Sequence, residues 1–526
     1  MKISFEQKHQ SLRRLMQIGA VCLAVTLIAG CGTQYRPVVI PVNPNGPPSQ
    51  PQSYAVVVSS TGKTTPGVAT IIDYSGDSVM AVSPIGPGPM ALAEDSQGSF
   101  GYTINSDLTL TNFQVSSTLQ AKDLGYSTLP SAPPLKTPIF AGIYSPNIGL
   151  WVADAANNVI DVLTGATPQT FQLAVPVAPT PILTIGPVSL TQRVYAVSQN
   201  ATAASPVMPY GIACNTAPTA QQPGEADAIE GTTYFITARI PLGICPVYAA
   251  VSNDNRRIFV LNRGDDTITV INSQHNTLDQ CPVPLQAGQC PAPYNTNSNG
   301  QPITFHPTLP LSLTAVNALN AKVPGSGNPP NGTAGMTAIA GPVYAEYNTA
   351  TNQLIVANYD GGTISVIDVS EDVYGNDSPS FGSTFTIPVG NNPASVTVLN
   401  DGSRAYVANQ SDGTVSIVNL SSHTLVKKAL AVNGHPWSVV STQNSLYGKV
   451  YVSSPDSSLL TIIRTDLDIV DATVSIEGNP VDVRVSTQTG SQGNKNTISR
   501  IPGAGQPCYL PPTLMTPATI ADCQQF

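Results

Sequence analysis

The sequence predicts an all-β protein, a β-propeller of four-stranded antiparallel blades. Three observations carry that expectation. First, a phrase repeats: residues 257–272 read RIFVLNRGDDTITVIN, 353–369 read QLIVANYDGGTISVIDV and 403–420 read SRAYVANQSDGTVSIVNL. Each is a pair of β-branched strands around an Asp- or Gly-rich turn, and a four-stranded unit of about 40–45 residues is the mark of a propeller blade. Second, from Tyr54 onward the apolar segments alternate or run unbroken between Gly, Pro, Asn and Asp, with no helical period. Third, Gly and Pro make up 90 of the 526 residues, supplying the turns that short strands require.

The N-terminus reads as an address. Lys2, Lys8, Arg13 and Arg14 precede an apolar run over residues 15–28. That run is short for a hydrocarbon core of ~30 Å, and residues 1–30 fit a secretory signal peptide. It ends in Leu27-Ile28-Ala29-Gly30-Cys31, which resembles the bacterial lipobox. The resemblance implies cleavage before Cys31 and lipid on its thiol, tethering the protein to the membrane. An ordinary secretory signal with a chance cysteine, or an uncleaved anchor, is the alternative. Gly32, where inner-membrane lipoproteins often have Asp, points to the outer membrane, facing either the periplasm or the surface. Residues 31–53 carry the lipidated Cys and a Pro-rich linker, a semi-rigid polyproline-like spacer.

The predicted propeller spans 54–486, and two landmarks count its blades. Pro89, Pro138, Pro181, Pro246, Pro342, Pro393, Pro436 and Pro480 each open an apolar strand. A second strand follows about ten residues later at 101–103, 151–153, 194–196, 258–260, 354–356, 405–407 and 450–452. The strand at 54–58 has no Pro-led partner before it, and the one after Pro480 has no second strand after it. Paired together, they close the ring and remove its open edges. The count is eight blades, with seven as the alternative. Intervals between Pro landmarks are 49, 43, 65, 96, 51, 43 and 44 residues, so the long ones carry insertions. Residues 487–526 form a Pro-rich tail.

Tyr406-Val407-Ala408-Asn409, then 414–419 (TVSIVN), then Gly434-His435-Pro436, resembles the YVTN β-propeller repeat. The likeness is strong over 246–483 and weaker toward the N-terminus. It implies the propeller fold, in a family of surface-layer and secreted propellers, lactonase relatives and proteins without assigned activity; its members are mostly described with seven blades. Propeller topology places the insertions at 199–225 and 279–338 on one rim, on adjoining blades, with both chain ends on the other. On that placement the exported chain's cysteines pair as Cys214–Cys245, Cys281–Cys290 and, in the tail, Cys508–Cys523.

Removal of the signal leaves 18 basic against 30 acidic residues, a net −12, which argues against a nucleic-acid partner. Asn262, Asn358 and Asn409 bracket turns holding Asp265, Asp360 and Asp412, and one carboxylate per turn is thin coordination for calcium. No metal or other cofactor is expected. His275, His306, His423 and His435 are scattered, with His435 in a turn. Glu346, Asp482 and Arg484 are inner-strand groups that a channel enzyme would use. The expectation is therefore a lipid-anchored cell-envelope scaffold binding a protein, peptide or glycan through its loop-bearing rim, with no assigned catalytic residues. The alternative is a lactonase-like or quinoprotein-dehydrogenase-like enzyme using the central channel.

Overall fold

The computed structural model describes residues 54–485 apart from 75, 96–97, 116–126, 130–133, 145–148, 166–169, 187–192, 201–221, 298–299, 312–339 and 443–447. Cys31, Cys214, Cys508, Cys523, the signal, the linker and the tail lie outside the described residues. Eight antiparallel sheets form a ring, seven of four strands and the one beginning at Pro246 of five, in sequence order in all but the sheet that joins the two chain ends. No helix long and apolar enough to cross a membrane occurs among the described residues.

Every blade begins at the centre. The inner strands Pro89–Glu94, Pro138–Tyr144, Pro181–Ile185, Pro246–Val251, Pro342–Asn348, Pro393–Val398, Ser438–Ser441 and Asn479–Val485 contact one another in succession around the ring. Proline has no N–H to donate to a ladder, so it is tolerated at the first strand residue. In seven blades the register shifts just after the opening proline, as at Pro393/Ser395. The end of the ring carrying these prolines is here called the entry rim, and its opposite the far rim.

The closing blade joins both chain ends. Asn479–Val485 pairs with Tyr54–Ser60, which leads on to Pro66–Asp73 and Val79–Pro87. Ala55 lies opposite Val485, so both described ends leave from the far rim.

The repeated asparagine has a specific task. Asn262, Asn358 and Asn409 end the second strand, and each Nδ2 donates to two hydroxyls on the third: Thr267 and Thr269, Thr363 and Ser365, Thr414 and Ser416. Asn409 Oδ1 also accepts from Gly390 N at 3.1 Å. Asp265 and Asp412 cap backbone amides of the preceding connection, at Ile244 and Asn391. Asp360 instead takes a buried, forked contact from Arg263 at 2.9–3.1 Å. All three carboxylates are thus spent on turns and clasps.

At the far rim the basic residue opening a second strand reaches into the next blade. Arg404 Nη1 meets Asp468 Oδ2 at 2.7 Å, and Lys449 Nζ meets Asp77 Oδ1 at 2.6 Å. Between blades, the faces fill with buried Val, Ile, Ala and one large ring such as Trp151, Phe259, Tyr406 or Tyr451. Each such side chain contributes about 1.5–3 kcal/mol by leaving water.

The insertions differ from expectation in one respect. The first does open between the second and third strands of its blade, after Ser198, at the entry rim. The second does not wait for the outer strand to finish. Thr277–Leu278 pairs with the far-rim end of Thr267–Asn272, and Thr308–Pro310 pairs with its entry-rim end. Residues 279–297 and 300–307 therefore interrupt the outer strand and sit toward the far rim, which corrects the entry-rim placement for this part of the insertion; 312–338 lies outside the described residues. The physical reason is the open edge: without Thr308–Pro310, Thr267–Thr269 would have no outer partner.

Candidate functional site

Two regions concentrate charged side chains, the inner seam and the outer edge of the 246–310 blade. At the inner seam, the charges are consumed by packing. Asp482 accepts from Ser438 Oγ at 2.7 Å on one neighbouring strand and from Leu92 N at 3.4 Å on the other. Arg484 Nη2 donates to Leu92 O and to Asp482, both at 3.0 Å. Glu346 accepts from Val398 N at 2.7 Å. Tyr144 donates to Thr184, and Ser441 to Val398 O, at the same level of exclusion from solvent. Glu346, Asp482 and Arg484 thus stitch inner strands together rather than converge as a reacting set. Glu94 joins them, fully buried with no hydrogen-bond partner for either oxygen; burial, reinforced by Asp95, pushes it up to about 8. It is held as a neutral acid at pH 7.

Two further carboxylates replace the hydroxyls of the repeat. Asp161 and Asp227 stand on third strands where Thr269, Ser365 and Ser416 stand elsewhere. Burial pushes them up to about 7 and about 6. Neither lines the cavity described below.

The outer edge is different. Arg257 opens its second strand at the position of Arg404, but its side chain is only 3% exposed. Its guanidinium meets Asp279 Oδ1 at 3.1 Å, Asp377 Oδ1 at 3.1 Å, Glu371 Oε1 at 3.4 Å and Gly375 O at 3.0 Å. Asp279 begins the insertion; Glu371, Gly375 and Asp377 belong to the next blade. His306, from the far end of the insertion, returns to complete the cluster. Its backbone N donates to Asp279 Oδ2 and its Nδ1 meets Asp377 Oδ2, both at 2.7 Å, while its ring stacks on Phe381. Burial pushes Asp377 up to about 7, with Asp279 adding to the effect, and pushes Glu371 up to about 8.

Asp279, His306 and Asp377 offer ligand atoms within 4.8 Å of one another, a spacing that suits one cation. The Arg257 guanidinium already lies between the two carboxylates and supplies the positive charge, so the set fits an internal ion network better than a metal.

Above this floor lies a cavity of about 540 Å³, within the range of about 300–1,000 Å³ usual for small-molecule sites. Its walls come from the 273–276 turn, the insertion and residues 374–377 of the next blade. The insertion is pinned by the Cys281–Cys290 disulfide, which the sequence paired correctly. Cys245 is also disulfide-bonded, with its predicted partner Cys214 outside the described residues.

Of the candidate histidines, His306 enters the ion network and His275 lines the cavity. His435 contacts Asp456, in the turn between Lys449–Ser453 and Leu459–Arg464, and His423 stacks on Phe385. Asp279, Glu371 and Asp377 were missed by sequence reasoning, because they lie in connections outside the repeat. The insertion's length was the available signal.

No protein-family model and no curated protein matches the sequence. Among solved structures, the chain is similar to dihydro-heme d1 dehydrogenase NirN at 12% identity and TM-score 0.50, covering 86% of this chain and 78% of that one. Apo AztD from Citrobacter koseri is 12% identical at TM-score 0.49, covering 82% and 97%. A putative 6-phosphogluconolactonase from Bacteroides fragilis is 12% identical at TM-score 0.44, covering 84% and 99%. The likeness to the first of these, at 12% identity, bears on the fold alone.

Proposed function

We propose that this protein is a lipid-anchored β-propeller of the bacterial cell envelope, of YVTN-repeat type, that binds a ligand in the cavity beside the 279–307 insertion. The observation that carries the reading is the construction of that cavity. A disulfide fixes its wall, two blades supply its sides, and Arg257 and Asp377 line it from a five-residue charge network. Nothing in the propeller ring requires these additions, since the 393–431 blade closes without them.

Attachment through Cys31 to the outer membrane rests on the residues of the signal and on Gly32. A channel enzyme would need charged groups free to react. The inner-strand groups that could serve are buried and bonded to neighbouring strands, or, for Glu94, buried without access. The binding reading therefore has the stronger support.

The experiment replaces residues 280–305 with a short Gly-Ser turn. Envelope material retained by the intact chain should pass the shortened one, while circular dichroism of the two coincides. Equal retention by both would refute the reading. Independently, Cys31→Ser should move the protein from the membrane fraction to the soluble one; persistence in the membrane would refute the anchor.

A further inference from the structure

We infer that the cavity is a binding site for an uncharged oligosaccharide. This rests on the cavity reading above and names the ligand class for it. The first ground is the chemistry of the polar lining. Gln274 and Gln280 carry side-chain amides with no hydrogen bond among the described residues, and neither is drawn into another contact. Asn272 spends its Oδ1 on the backbone of Gln274 and His275 and keeps its Nδ2 as a donor. An amide offers two donors and an acceptor without net charge. Sugar hydroxyls, each both donor and acceptor, are matched by such groups.

The second ground is aromatic. Four aromatic side chains among the described residues are exposed, Phe235, Tyr294, Phe385 and Tyr374, and two of them border this one cavity. Tyr294 is 42% exposed and Tyr374 64%. An exposed ring at a cavity mouth is unusual unless something flat and apolar covers it. The C–H face of a pyranose does so, through dispersion and weak C–H contacts to the ring.

The third ground is the floor. Arg257 Nη1 is buried with no hydrogen-bond partner, although the residue lines the cavity. Its positive charge is already matched by the surrounding carboxylates, and the mature chain is acidic overall, so an anionic ligand has no net attraction. An extended peptide would seek an unpaired strand edge, but the third strand beside the cavity, Thr267–Asn272, is already paired with Thr277–Leu278 and Thr308–Pro310.

The test uses the intact folded chain on an array of uncharged, acidic and basic oligosaccharides, with acidic, basic and apolar tripeptides alongside. Calorimetry then follows on the best binder. Uncharged oligosaccharides should lead, and Tyr374→Ala and Gln280→Ala should each weaken binding tenfold or more. Phe235→Ala, at an exposed ring of another blade, should leave it unchanged. Absence of any uncharged oligosaccharide among the binders overturns the inference. If a tripeptide binds instead and the cavity variants abolish it, the carbohydrate assignment falls and the cavity reading stands. If oligosaccharide binding survives both variants, the two fall together.

Discussion

The 393–431 and 246–310 blades start from the same plan and end in different places. In both, an arginine opens the second strand at the far rim and reaches toward the next blade. Arg404 does so from a partly exposed position and meets one carboxylate, Asp468. Arg257 is buried beneath the insertion and meets three, with His306 attached to the third. The difference teaches how a propeller acquires a site. An inter-blade clasp, repeated for structural reasons, is covered by an inserted loop and becomes the floor of a cavity.

Substituting the two arginines breaks the comparison most sharply. Arg257→Leu leaves three carboxylates without their cation, and breaking a buried pair costs about 3–5 kcal/mol. Arg404→Leu, at a pair nearer solvent, should cost about 1 kcal/mol or less. Denaturant unfolding of both variants checks this, and equal losses would mean that the covered clasp is no different from the open one.

The repeat asparagine sharpens it next. Asn409→Ala strands two hydroxyls and the Gly390 amide, a loss of about 1–3 kcal/mol. Asn262→Ala strands its two hydroxyls but no amide, since Asn262 Oδ1 has no partner and Gly243 N donates to Thr269 Oγ1, so its loss should be the smaller of the two. A larger loss for Asn262→Ala in chemical unfolding would show that the insertion reshapes the ring itself.

Opening the disulfide should separate site from scaffold. Cys281→Ser with Cys290→Ser removes a short cross-link whose loop-closure entropy amounts to about 3 kcal/mol at most. That constraint acts on the insertion, so proteolysis within 282–305 should accelerate while the melting temperature of the ring moves by only a few degrees.

The effect at the inner seam depends on pH. Glu94 has its folded value raised to about 8 by burial. The unfolded chain loses that proton first, so this group withdraws stability as pH rises from about 4.5 to about 8. Glu94→Gln should flatten the pH dependence across that window and raise the melting temperature at pH 9, with little change at pH 4. A variant less stable than the parent at pH 9 would show that the carboxylate is used ionised.

The ring was legible because its determinants are local and repeated. Pro393 and its counterparts mark strand entry, Asn409 with Thr414 and Ser416 marks the second hairpin, and the unmatched strands at the two ends imply closure. The split outer strand was obscured by the residues between Leu278 and Thr308. Its continuation was nonetheless written in Thr308-Leu309-Pro310-Leu311, which parallels Thr386-Ile387-Pro388-Val389 of the next blade. The charge network was not legible, since Arg257 and Asp377 meet across 120 residues and two blades. Only the register of neighbouring sheets brings them together. Likewise Glu346, Asp482 and Arg484 stood out as inner-strand charges, but which strand face they occupy depends on a bulge after the opening proline.

Hydrogen exchange with and without bound oligosaccharide tests most directly where this propeller does its work. The account predicts slowed exchange in residues 272–282, 294–305 and 374–377, with the inner strands unchanged. Protection confined to Pro89–Glu94, Pro342–Asn348 and Asn479–Val485 would place the ligand in the central channel and contradict it.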